Sequence, residues 1–128
     1  MTAIGRPMET IEMNGRSFQC VGDSAGIRDL GGYTSEWQSN GNPSTGRLIM
    51  TPSGWSVSGQ PVQIDDSQGD QEFVTSLKNS PNPVDFIFTY GGGIVYAGTG
   101  HIVEATEFDA MAASMSLTMR GGGELKKL

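Results

Sequence analysis

The sequence predicts a mainly β, β-rich α+β domain: an antiparallel sandwich or barrel of about seven strands with one short helix. Three observations carry that expectation. Apolar residues recur at every second position, as in Val84, Phe86, Phe88 and Tyr90. Turn formers punctuate such runs at short intervals, and glycine supplies 19 of 128 residues, about twice its usual share of about 7%. A single stretch, around Phe73, Val74 and Leu77, has apolar spacing of helical period.

The elements follow in order along one domain spanning 1–128. Residues 1–9 read as a flexible arm, since Gly5 and Pro7 disfavour a central strand. Asn14-Gly15 is the strongest short hairpin signal, placing strands at 9–13 and 16–21. From Gly22 to Gly46 the pattern dissolves into small polar residues, which predicts a long loop at 22–46 carrying Ile27, Leu30, Tyr33 and Trp37 as isolated apolar groups. Arg47–Thr51 reads as a strand, Pro52-Ser53-Gly54 as a turn, and 54–65 as a strand bent at Gly59-Gln60-Pro61, where the alternation changes phase. Oxygen caps among Asp65, Asp66 and Asp70 introduce a helix at 70–79, and Pro81 and Pro83 forbid its continuation. The aromatic face of 84–90 is the leading core candidate. Gly91-Gly92-Gly93 turns into Ile94–Ala97, Gly98-Thr99-Gly100 breaks the chain again, and strands are expected at His101–Thr106 and Met111–Met119. Gly121 to Leu128 reads as a flexible tail, 121–128.

Composition bounds the function. The net charge is −6, and the basic residues are scattered, so binding nucleic acid by counterion release is disfavoured. One cysteine, Cys20, forbids an intrachain disulfide, and a reducing compartment is adequate. Met1–Met8 lacks the order of a secretory signal and no apolar run approaches a span of about 18 residues, so cytoplasmic synthesis without membrane insertion is expected.

Catalytic and cofactor chemistry finds no foothold. His101 is the only histidine and lies far from Cys20 in sequence, and no Cys/His cluster has metal-ligand spacing. Asp65, Asp66 and Asp70 with Gly69 miss the calcium-loop pattern and read as helix caps. Gly91-Gly92-Gly93 precedes a strand and has no lysine, so it is a hairpin turn and not a phosphate cradle. Glu104, Glu107 and Asp109 lack a matched partner site and read as a solvated face. The expectation is a non-enzyme without cofactor or metal, whose residues are better explained by many contacts than by one site. Small sheets with open edges are stabilised by pairing those edges, and a closed ring does so without aggregation.

The run Phe86-Ile-Phe-Thr-Tyr-Gly-Gly-Gly-Ile-Val-Tyr-Ala-Gly-Thr-Gly-His-Ile-Val103, an acidic stretch, and then Met115-Ser-Leu-Thr-Met-Arg-Gly-Gly-Gly-Glu-Leu125 resemble tail tube proteins of bacteriophages. The Asn14-Gly15 hairpin, the long loop and the acid-capped helix also sit where that family would place them. The resemblance implies a hexameric ring with a continuous inner β-barrel, stacked into a hollow conduit for genome delivery. It also implies contacts with tail sheath, tape-measure, baseplate and tail terminator proteins, and a place in the virion tail after assembly in the host bacterial cytoplasm. DNA would pass without specific binding. The small size leans toward a contractile tail.

On that reading an acidic lumen keeps DNA from adhering, with roughly −36 per ring of six. Glu104, Glu107 and Asp109 are the first lumen candidates, with Asp85 and Asp65 behind them. Candidates for contacts between subunits or rings are Met1, Ile4, Pro7, Ile27, Leu30, Tyr33, Trp37, Leu125 and Leu128. Two rival readings stay open: a subunit of a secretion-system or bacteriocin tube, and a monomeric β-sandwich module binding carbohydrate or protein on Trp37, Tyr33 or Trp55.

Overall fold

The computed structural model describes residues 3–22, 26–42 and 44–128. Strands β1 (Met8–Met13) and β2 (Arg16–Gln19) form the expected hairpin. Asn14 and Gly15 both take positive φ, 49° and 86°, the geometry that matches the twist of paired strands. Met8, Ile11, Met13 and Phe18 face the core. The first strand therefore begins at Met8, and the arm expected over 1–9 shrinks on its C-terminal side, because Met8 gains more from burial than the chain loses by being ordered. Gly91 N–H donates to Pro7 C=O and ties the remainder down.

The loop expected at 22–46 is corrected most. Its residues form β3 (Ile27–Asp29) and β4 (Gly32–Ser39), which pair with β6 (Trp55–Gln63) and β5 (Gly46–Ser53). The two pairings share one register. From Asp29↔Ser56 to Gly32↔Ser53 both strands advance three residues, so 27–39 and 46–58 form a single long β-ribbon; 23–25 and 43, also within the expected loop, lie outside the described residues. Its base, β3 with β6, belongs to the main sheet, and its outer half, β4 with β5, forms a separate two-stranded sheet. The ribbon is interrupted where Leu30 C=O accepts from Leu125 N–H and Gly31 bridges to Glu124. Pro52 lies within β5, opposite Tyr33, where an edge strand tolerates its missing donor.

The main sheet is a closed barrel. Strands β7 (Val84–Tyr90), β8 (Ile94–Ala105) and β9 (Ser114–Gly121) complete the antiparallel order β2-β1-β7-β8-β9-β6. A Cys20↔Val62 bridge and the Val21 N–H bond to Pro61 C=O, 3.2 Å, join β2 back to β6. β6 shifts register against β9 between Val57 and Gln60, and Gly59 takes φ +65°, as the phase change had indicated. Gln60 is buried and accepts from Gly26 N–H, so its amide is satisfied inside.

Gly98 and Gly100 do not end a strand: β8 runs unbroken through both. A Cβ at Gly98 would meet Leu125 and the Trp55 indole, and one at Gly100 would meet the Arg120 backbone, so the glycines are there for close approach. β9 starts later than expected, at Ser114, because Asp109 accepts from Met111 N–H and Ala112 N–H and holds that stretch as a turn; Met111 is 98% exposed.

The tail is likewise not free. Leu125 is 6% exposed within the core, Lys126–Lys127 form β10 against β8, and Leu128 N–H donates to Val95 C=O.

Helix α1 (Asp70–Lys78) buries Val74 and packs Phe73 and Leu77 on the core. Asp65 caps the 3-10 turn just before it, accepting from Ser67 N–H. At the centre Phe86 and Phe88 stack on each other, and Trp55 meets both edge-on. Among the described residues no helix is long and apolar enough to cross a membrane.

Candidate assembly interface

Cross-strand partners share a face, so the outer ribbon has two distinct sides. One carries Tyr33 opposite Pro52, Ser35 opposite Met50, and Trp37 opposite Leu48. The other carries Thr34 opposite Thr51, Glu36 opposite Ile49, and Gln38 opposite Arg47, which donates to the Gln38 side chain at 2.8 and 3.1 Å. Tyr33 and Trp37 are 61% and 60% exposed, and Leu48 and Met50 are exposed with them. Gly46 has no side chain where a Cβ would lie 2.6 Å from the Trp37 ring, so the indole lies down across the ribbon.

Of the residues expected at subunit contacts, Tyr33 and Trp37 are brought together on this face, while Ile27 and Leu30 are exposed at its root. Ile4, Pro7 and Leu128 are exposed elsewhere. Leu125 is corrected, because its side chain is already enclosed by its own chain. Met1 lies outside the described residues. Leu48, Met50 and Pro52 were not anticipated as part of the surface, although their own period of two was the available signal. Trp55 is corrected as a binding platform: it is 1% exposed beneath Gly98 and Gly121.

No family model and no curated protein matches this chain.

The five carboxylates expected to line a lumen stand in different local settings. Asp65 is engaged in capping, and its hydrogen bonds from Ser67 hold its carboxyl below the usual range. Asp109 is held in its turn. Asp85 accepts from Thr99 Oγ1 at 3.0 Å and lines a cleft with Glu124 and Lys126. Glu104 stands opposite Thr118 on the exposed side of β8, and Glu107 lines a separate cleft with Lys78. Among the described residues no three acidic, histidine or cysteine side chains are placed to hold a metal ion. His101 stands opposite Arg120, and Cys20 opposite Val62, with burial pushing the Cys20 thiol up to about 12.

Two arginines lie over aromatic rings. Arg16 lies 4.9 Å from the Phe73 ring, and its guanidinium pairs with Asp70 and donates to Gln68 C=O. Arg28, opposite buried Val57, lies 4.4 Å from the Tyr90 ring and 4.6 Å from Tyr96. Those rings meet edge-on at 6.0 Å. Burial raises the Tyr90 hydroxyl above its ordinary value, and the Arg28 charge opposes that shift.

Proposed function

We propose that the protein is a structural subunit of a phage-type tail tube, closing with like copies into hexameric rings that stack into a hollow conduit for genome delivery. The observation that supports this most is the outer ribbon, with Tyr33, Trp37, Leu48, Met50 and Pro52 on one exposed face. An isolated two-stranded ribbon is marginally stable in water. Aromatic and sulfur-bearing side chains left together on such a ribbon are interface anchors. A neighbouring copy supplies the missing layer, and repetition of that contact around a ring closes it without leaving an unpaired patch.

The barrel explains why such a chain would assemble without refolding. Among the described residues, its hydrogen-bonded closure leaves the two-stranded ribbon of β4 and β5 outside the main sheet. On this reading Glu104 and Glu107 are the carboxylates available to an acidic lumen, since Asp65 and Asp109 are engaged by backbone donors. The tape-measure protein would fill that lumen during assembly, with sheath, baseplate and tail terminator proteins at the outside and the ends. The test is negative-stain microscopy with sedimentation of the purified chain over a concentration series. Rings or tubes of uniform width are expected, and a persistent monomer would overturn the proposal.

A further inference from the structure

The arm and the end of the barrel form a cleft of about 220 Å³, lined by Ile4, Gly5, Arg6, Arg28, Tyr90 and Ile94. Among the described residues its lining includes two arginines and no acidic residue. Arg6 lies along the turn after β7, where Gly91 and Gly92 leave room for its chain: a Cβ at Gly92 would come within 3.0 Å of Arg6 Cδ and Nε. Arg28 is held over the two tyrosines. Both arginines are exposed, and among the described residues the ion pair is Arg16 with Asp70, not one that involves them. In a chain of net charge −6, two arginines lining one cleft with no acid among its described lining residues are the exception. Arginine forks are shaped for a carboxylate, and stacking fixes one fork in advance.

The ribbon carries the complementary group. Glu36 is the single acidic residue of 32–53, is exposed, and sits on the polar side of β4. The one arginine of 32–53, Arg47, donates to Gln38 instead. Glu36 lies four residues past the start of β4, so at about 3.3 Å per residue the strand carries this carboxylate roughly 13 Å beyond the root of the outer ribbon.

We propose that the cleft of Arg6 and Arg28 receives Glu36 from a second copy of this chain. The inference rests on the assembly reading above and names the charged contact that sets its register. The apolar side of the ribbon supplies affinity, and this pair excludes misaligned neighbours, as charges at interfaces do. The contact is head-to-tail, with different surfaces on the two copies, which is the type that builds rings and filaments.

The test is charge reversal read by sedimentation. Glu36→Arg and Arg6→Glu alter exposed groups, so each should fold, as circular dichroism will verify, and each should raise the concentration needed for assembly by about ten-fold or more. The double variant should recover most of that loss. Arg28→Glu should behave like Arg6→Glu but also disturbs the tyrosines, so the Arg6 variant decides. A direct check mixes Glu36→Cys with Arg6→Cys and adds a bis-maleimide that spans the length of the two lost side chains, because a disulfide bridges Cα atoms only up to about 7 Å apart; cross-linked dimers are expected, with buried Cys20 a bystander. Wild-type assembly by both single variants would overturn this contact and leave the tube reading intact. Impairment by Arg6→Glu but not by Glu36→Arg would assign the cleft to another carboxylate and overturn the pairing. A wild-type chain that never assembles would overturn both proposals.

Discussion

Trp37 stands directly opposite Leu48 on the outer ribbon, and its indole lies over the bare backbone of Gly46. The pair is folded into place without being covered. Removing the ring should therefore leave the barrel untouched while weakening association.

Trp37→Ala is expected to change the stability of the isolated subunit by no more than about 0.5 kcal/mol, the range for exposed positions. Assembly should weaken by about 2 kcal/mol or more if Trp37 is a hot spot. Thermal melts and sedimentation of the same preparation separate the two effects. Normal assembly by this variant would remove Trp37 from the interface.

Leu125 gives the opposite pattern. It fills the space beside Gly98, and its N–H is bonded to Leu30 C=O, so the tail clamps the root of the ribbon to the barrel. Leu125→Ala should destabilise the subunit itself by about 2–4 kcal/mol, measured by urea unfolding, as expected for truncating a buried leucine. Removal of 122–128 should do at least as much. A loss confined to assembly would mean that the tail acts between copies.

How far these features were legible depends on whether their cause is local. Asn14-Gly15 and the alternation of Val84, Phe86, Phe88 and Tyr90 announce a turn and a strand from neighbouring residues alone, and both occur as read. β4 could not be read that way. Thr34, Ser35, Gln38 and Ser39 are polar on both faces, so no period appears, and the strand exists through its pairing with 46–53. Gly98 and Gly100 imitate a break because the reason for them, Trp55 and Arg120 arriving from other strands, is distant in sequence. The same holds for the candidate surfaces. Tyr33 and Trp37 stood out as apolar residues in polar surroundings, whereas the cleft of Arg6 and Arg28 is assembled from 3–7, β3, β7 and β8 and leaves no local mark.

Gly121 offers a test of the packing where β9 meets β6 and β8. A Cβ there would strike the backbone carbonyl of Thr99 and the indole of Trp55, which is buried in the core. Gly121→Ala should cost about 1–3 kcal/mol by overpacking, although alanine ordinarily suits a strand better than glycine. Trp55→Phe, which shortens the obstructing ring and deletes a buried indole N–H without a hydrogen-bond partner, should relieve part of that loss in the double variant. Strict additivity of the two changes would show that the clash does not govern the site.

The buried thiol of Cys20 makes stability depend on alkaline pH. Its pKa is pushed from 9.0 to about 12 by desolvation alone, since it lies between β2 and β6 where the barrel closes. Between those two values the unfolded chain has released the proton and the folded chain retains it, so the unfolded state binds fewer protons and stability falls as pH rises. The contribution is whole below pH 9.0 and disappears progressively toward pH 12, with a slope of up to about 1.4 kcal/mol per unit. Tyr90, also raised by burial, acts in the same direction. Urea unfolding at a series of pH values from 8 upward should therefore show a steep decline, and Cys20→Val should flatten it while leaving the Tyr90 part. In parallel, a thiol reagent at pH 8 should label the native chain only as fast as the barrel opens. Immediate labelling of the folded protein, or an unchanged slope in the valine variant, would mean that the seam between β2 and β6 is open to water.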